Sequence, residues 1–299
     1  MRSAKTPARM PDAPTRTALV FGASGQIGQA LLARLAGEGW QVFAVSRTPH
    51  PPAARVTWLT GGFAGIDGLP EAVDVVFSTG PLDGFAQWYA HGQVATRRVV
   101  AFGSTSLDTK QASADAYERD IVARLQAAER IVFDTALANG AAATLLRPTL
   151  VYGAGRDRTL ARIAAMGRRL GFFVLPRGAY GKRQPVHVDD LASAALAVVD
   201  ASAAHGQAYA LPGGETLAYR EMVARTLAAL DPPAKLREVP MPVFKAALWL
   251  ARKAGMMRGL TDDAVARMRE DLVFDAAPAF HDFGYVPRSF IVDARAVGP

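Results

Sequence analysis

The sequence predicts a doubly wound α/β fold, a parallel sheet with helices on both faces and a smaller carboxyl-terminal lobe. Two observations carry this. From Thr17 onward, short apolar runs alternate with longer amphipathic ones, and continuous apolar strands between helices mark a sheet buried on both sides. The first strand also runs directly into a glycine-rich turn that opens a helix.

Taken in order, "TALVFGAS" reads as a buried strand and "QIGQALLARLAGEG" as a helix ended by Gly39. "WQVFAVSR" is the second strand and "RVTWLTGG" the third. "VDVVFSTG", "RRVVAFGSTS" and "AATLLRPTLVYG" supply the fourth to sixth, with helices between them, one over 113–139. After Gly153 the alternation weakens. A helix near 158–170 precedes a strand and helix in "RQPVHVDDLASAALAVVD", then a strand, turn and helix in "GQAYALPGGETLAYREMVARTLAAL". "TDDAVARMREDLVFD" closes as helix followed by loop. The expected division is a basic disordered tail over 1–16, a dinucleotide-binding core over 17–155, and a lobe over 156–299 with some segments returning to the core.

Composition narrows the function. With no cysteine there is no disulfide, thiolate nucleophile or Cys-bound zinc. Five histidines lie far apart without helical ligand spacing, so no metal site is expected. The net charge of +7 is concentrated. Residues 1–16 hold four basic groups and one acidic, and 156–183 hold eight basic against Asp157. The rest is slightly acidic, which suits a phosphate-bearing small molecule and leaves no nucleic-acid motif. "PVFKAALWLARKAGMM" is too short and too charged to span a bilayer, and fits an amphipathic helix packed on a core. A cytoplasmic protein off the membrane is expected, with oligomer formation left open.

"VFGASGQIG" puts Gly22, Gly25 and Gly28 between the first strand and the first helix, with Ser24, Gln26 and Ile27 among them. Glycine permits the tight turn and close approach of a pyrophosphate, and the helix N-terminus offers free N–H groups to it. A dinucleotide cofactor is therefore expected. At the end of the second strand Ser46 is neutral and Arg47 follows. A guanidinium can pair with a 2′-phosphate that a carboxylate would repel, so NADP is expected, with NAD as the alternative.

The G-x-x-G-x-x-G spacing, "RPTLVYGAG" and "PVHVDDLASA" resemble the short-chain dehydrogenase/reductase superfamily. Within it, the chain is similar to the extended and atypical NAD(P)-dependent epimerase/dehydratase-like members, over roughly 17–290. The resemblance implies a Rossmann-like fold and an oxidoreductase or epimerase, with Ser78, Thr79 and Gly80 passing over the adenosine ribose. It places Pro148, Thr149 and Leu150 beside the nicotinamide. It implies that Thr105, with Ser104, orients the substrate oxygen. Arg156, Arg158, Lys182 and Arg183 match regions that hold substrate diphosphate or sugar in related sugar-nucleotide enzymes.

The family's tyrosine–lysine pair, four residues apart on one helix, is missing. Aligned on Tyr117, the lysine position holds Ile121. Aligned on Glu129, as the family's Y-x-x-x-K-x-x-x-E pattern allows, Ile121 and Leu125 stand in the two positions. Tyr117 is then a helix-start aromatic packed on the lobe, an acid displaced and helped by Lys110 or Arg124, or an exposed side chain. Two functions follow: an NADP-binding oxidoreductase-like protein acting on a sugar-nucleotide or other phosphorylated substrate, or a non-catalytic redox sensor or assembly partner.

Overall fold

The structure is a computed structural model that describes residues 15–109, 115–157, 159–253 and 262–293, with Ala296 and Gly298. The sheet opens with β1 (Thr17–Phe21), followed by α1 (Gln26–Gly37), β2 (Gln41–Ser46) and β3 (Val56–Gly62). A two-residue strand β4 (Gly65–Ile66) turns back along the β3 edge. The chain then crosses to β5 (Ala72–Ser78), α2 (Leu82–Ala90) and β6 (Ala95–Phe102). After the short α3 (Ser106–Thr109) come α4 (Ala116–Ala138) and β7 (Ala142–Pro148).

Short strands β8 (Val151–Tyr152), β9 (Phe172–Pro176), β10 (Lys182–Arg183) and β11 (Val186–His187) follow, with α5 (Leu160–Leu170) between the first two. Then α6 (Val188–Asp200) leads into β12 (Gln207–Leu211). The remainder is β13 (Leu217–Ala218), α7 (Tyr219–Ala228), β14 (Lys235–Val239), α8 (Met241–Lys253), α9 (Asp262–Ala266) and α10 (Ala277–Phe283).

The main sheet runs β12-β7-β6-β5-β1-β2-β3-β4, and every neighbouring pair is parallel except β3 with β4. Strand order reverses between β1 and β5, which opens a crevice at the carboxyl ends of these strands. The doubly wound fold is as predicted. Leu31, Leu35, Leu191, Ala195 and Val198 of α1 and α6 cover one face, packed on Ala18, Val20 and Phe77. Phe85, Trp88, Ala128 and Val132 of α2 and α4 cover the other, packed on Leu19, Phe21 and Val76. A third cluster, with Leu160, Ile163, Leu175, Met222 and Leu227, forms the core of the carboxyl-terminal lobe.

Buried Arg98 on β6 donates to the carbonyls of Val198, Val199 and Ala142 and to the Thr144 hydroxyl. It satisfies the end of α6, where carbonyls lack intrahelical partners. Arg16, the last residue of the expected tail, pairs with Asp200 at 2.6 Å and lies over the Trp40 ring. The tail's residues 1–14 lie outside the described residues. Among the described residues no helix is long and apolar enough to cross a membrane, and no group of three His, Cys, Asp or Glu could hold a metal.

Candidate cofactor and reaction site

At the carboxyl end of β1 the chain turns on Gly22, whose φ of +69° is open to glycine at little cost. A Cβ there would lie 2.7 Å from the Gly80 nitrogen, and one on Gly28 would lie 2.2 Å from the Gly22 carbonyl oxygen. The turn is closed by Gly25 N–H donating to Gly22 O at 2.8 Å. Thr79 Oγ1 fastens the loop after β5 to it, donating to the carbonyls of Phe21 and Gly22 at 3.0 Å each. Gly25 then begins α1 in extended conformation with no side-chain cap, and no acidic residue occupies the first turn. That leaves N–H groups and a positive dipole end without an internal partner, a fit for a pyrophosphate.

Ser78 Oγ and Gln26 Oε1 are buried with no hydrogen-bond partner among the described residues. Buried polar atoms seldom stay orphaned, so both are open to a ligand beside this turn. Arg156 reaches the same place: its guanidinium donates to the Ser24 carbonyl at 3.1 Å. The sequence assigned it to substrate, and its contact is with the glycine turn. Arg158 lies outside the described residues.

Ser46 is buried, and its hydroxyl lies 3.0 Å from His50 Nε2, whose ring stacks on Trp58. Arg47 is exposed and has no hydrogen bond or ion pair among the described residues. Nothing fixes its guanidinium to receive a 2′-phosphate.

Ser104, Thr105, Pro148, Thr149, Leu150 and Arg183 line one cavity of about 260 Å³ at the carboxyl ends of β6 and β7. Thr105 is buried and gives its proton to the Pro148 carbonyl at 3.1 Å. Ser104 Oγ accepts from Ser106 N–H at 3.1 Å, which leaves its own proton free to point at a ligand. Thr149 Oγ1 donates to the Gln184 carbonyl. Arg183 is buried, donates to the carbonyls of Lys182, Glu270 and Arg267, and lies over the Tyr219 ring at 5.3 Å. Burial holds its pKa below the usual guanidinium value. Its hydrogen-bond partners are uncharged carbonyl oxygens, and Asp271 and Glu270 act on it only through space. Lys182 is exposed on the outside of the same strand.

Tyr117 is 68% exposed and does not line this cavity. Its backbone N–H is bound by the Asp115 carboxylate, which caps α4. Of its suggested helpers, Arg124 is engaged by Asp83 and Asp120, and Lys110 lies outside the described residues. Tyr117 is thus an exposed side chain and not an aromatic packed on the lobe. Glu129 is buried and paired with Arg147, Nε to Oε1 at 2.8 Å. Leu125 packs on the core cluster beneath α4, and neither it nor Ile121 lines the cavity.

No local sequence pattern marks the second cavity. About 470 Å³ in volume, it shares Leu150, Thr159, Arg183, Arg267 and Leu272 with the first and continues into the lobe. There its walls are Ile163, Met166, Phe172, Leu175, Phe244 and Leu248, with Arg162 as a further charge. These residues come from α5, β9 and α8, which no local pattern links.

A glycine turn at the switch point of a doubly wound sheet, with a hydroxyl-lined cavity at the carboxyl ends of β6 and β7, is an arrangement suited to a dinucleotide. Residues 122–211 match the model of the NAD dependent epimerase/dehydratase family. Over those residues the chain is similar to that family. It is 28% identical to the 2-alkyl-3-oxoalkanoate reductase of Stenotrophomonas maltophilia, over 90% of this chain and 94% of that one.

Among solved structures, the epimerase Mth375 of Methanothermobacter thermautotrophicus superposes with a TM-score of 0.69, at 16% identity, over 94% of this chain and 89% of that one. MoeE5 with UDP-glucuronic acid and NAD gives 0.65 at 18% identity, over 94% and 95%. At these identities the likeness defines the fold. The NADP expectation is corrected here. MoeE5, also with UDP-glucose, and WbmH from Bordetella bronchiseptica are complexes with NAD. The physical reason is Arg47: one exposed, unanchored guanidinium is not a built 2′-phosphate site.

Proposed function

We propose that the chain is an NAD-dependent oxidoreductase that interconverts a carbonyl and a hydroxyl on a carboxylic acid bearing a long apolar chain. The observation that carries this is the continuity of the hydroxyl-lined cavity with the apolar one through five shared residues. A sugar nucleotide would leave its hydroxyls against Ile163, Met166 and Phe172, with their hydrogen-bonding capacity unmet. The relative named as a 2-alkyl-3-oxoalkanoate reductase supports a 3-oxo acid.

NAD supplies or accepts the hydride when bound. The first-turn N–H groups of α1 hold the pyrophosphate, with Ser78 and Gln26 as further polar contacts. Ser104 hydrogen-bonds the substrate oxygen through its unused hydroxyl, water supplies the proton that completes the alcohol, and Thr105 fixes the loop through Pro148. Arg183 attracts the carboxylate. Residues 17–155 carry the nucleotide and 156–299 most of the substrate.

The test is NADH consumption with 3-oxo acids of increasing chain length. Long chains are expected to turn over with the lower KM. Ser104→Ala lowers kcat about a hundredfold, the range for losing one donor to a developing oxyanion, and Tyr117→Phe changes it less than about twofold. Binding of NADH with no turnover of any such acid would overturn the proposal in favour of a second reading, a non-catalytic sensor, which rests on Ile121 and Leu125 standing in place of the family pair.

A further inference from the structure

The joint between the two cavities holds more hydrogen-bonding capacity than the protein itself uses. Of its polar residues, Arg267 is paired with Glu118 through both terminal nitrogens. Arg183 commits three of its five N–H donors to backbone carbonyls and makes no ion pair among the described residues. Glu270 and Asp271, whose charges act on it through space, are exposed and line neither cavity. Thr159 is half-buried, and its hydroxyl has no hydrogen-bond partner among the described residues. Tyr219 opens α7 beside this joint, half-buried on the wall of the larger cavity, with Arg183 over its ring. Its hydroxyl is likewise unpartnered among the described residues, yet it is not sealed in the interior as the Ser78 hydroxyl is. Burial raises the phenol's pKa, against the pull of Arg183, so it keeps its proton as a donor at neutral pH. Among the described residues no acidic group lines either cavity.

We propose that Tyr219 and Thr159, with the two unused N–H groups of Arg183, form the seat of the substrate carboxylate. Two guanidinium donors and two hydroxyls match the roughly four lone-pair sites of a carboxylate. Hydrogen bonds to an ionised group are also about twice as strong as those between neutral groups. Position agrees with this chemistry. In a 3-oxo acid a single carbon separates the carboxylate from the carbonyl, so the seat must adjoin the hydroxyl-lined cavity as well as the apolar one. Thr159 and Arg183 belong to both. Tyr219 is then a positioning residue that holds the acid end while Ser104 meets the carbonyl. The rival anchor is Arg162, a cation on the wall of the larger cavity with no partner among the described residues. It is exposed, where water screens a charge pair, whereas Arg183 is buried. The role in turnover rests on the apolar-acid reading above; the seat itself is measured by binding alone.

Calorimetry with the full chain compares decanoate with decanol, which share an apolar chain and differ in the acid end. Tyr219→Phe is expected to weaken decanoate binding at least about tenfold, the range for losing a hydrogen bond to a charged group. Decanol binding should change less than about twofold in the same variant, whereas a loss of packing moves both ligands alike. Thr159→Val is expected to act in the same direction, and it decides should the tyrosine variant fail to fold. Arg162→Ala should change either affinity less than about twofold. With a 3-oxo acid and NADH, Tyr219→Phe is expected to raise KM and leave kcat within about twofold, the reverse of Ser104→Ala. The proposal is overturned by absence of decanoate binding, by decanoate affinity unchanged in the folded variants, or by an equal loss for decanol. A loss confined to Arg162→Ala, or a fall in kcat at unchanged KM, overturns it as well. If the binding results hold and no 3-oxo acid is turned over, the seat stands and the reductase reading alone falls.

Discussion

The guanidinium of Arg267 meets the carboxylate of Glu118 through two hydrogen bonds of 2.8 Å, across 149 residues of sequence. It joins the turn after α9 to the first turn of α4. The same Arg267 lines both cavities, and its carbonyl accepts from Arg183. Glu118→Gln leaves a mostly buried cation without its counter-charge, at a cost of about 3 kcal/mol. Chemical denaturation is expected to register that loss. A Glu118→Leu, Arg267→Met pair should recover most of it, because two apolar groups need no partner.

Gly28→Ala tests the cofactor turn. The new methyl group meets a backbone oxygen, which cannot swing aside as a flexible side chain can. The turn must open and its N–H groups move off target. Calorimetry is expected to show NADH affinity lowered about a hundredfold, near 3 kcal/mol, with most of the fold intact by circular dichroism.

Cofactor choice is tested at Arg47. NADH is expected to bind more tightly than NADPH, and Arg47→Ala to change NADPH affinity by less than about twofold, as for other exposed charges. A tenfold loss of NADPH binding in that variant would restore the 2′-phosphate role.

His187 predicts a pH dependence. Its Nδ1 accepts from Asp189 N–H at 3.2 Å to cap α6, which requires the unprotonated nitrogen. Burial, then the nearby Arg288 guanidinium, hold its pKa below the usual histidine value, although Asp189 and Asp190 pull the other way. With the folded value depressed, the unfolded chain binds the proton first as pH falls. The contribution is full above pH about 6.5 and declines below it toward the folded value. His187→Asn retains an acceptor and is expected to flatten this part of the stability profile.

The glycine turn and the six predicted strands were legible because each is written locally. An apolar run has one period, and a glycine at positive φ has one purpose. "HVDDL" was legible only in part. Asp190 holds Arg288 at 2.8 Å, while His187 caps the helix, which starts at Val188. A histidine is an uncommon cap, and propensity favours the aspartates. The apolar cavity was not legible, because Phe172 and Phe244 become neighbours only when β9 pairs with β14 and brings α8 alongside. Ser104 and Thr105 look equivalent as letters. Only the Pro148 carbonyl, supplied from β7, separates a committed proton from a free one.

The place of β12 governs how the chain can be assembled. It pairs with β7, setting Gln207 against Thr144, so the sheet edge at β7 stays open while 63 residues (207 − 144) are synthesised. Such an edge is a template for pairing with another chain. During translation the nascent protein therefore carries an unprotected strand made of "AATLLRP", and the growing lobe must fold around it before a neighbour does. Expression yield, and not only activity, is expected to be sensitive to changes in the segment between the two strands.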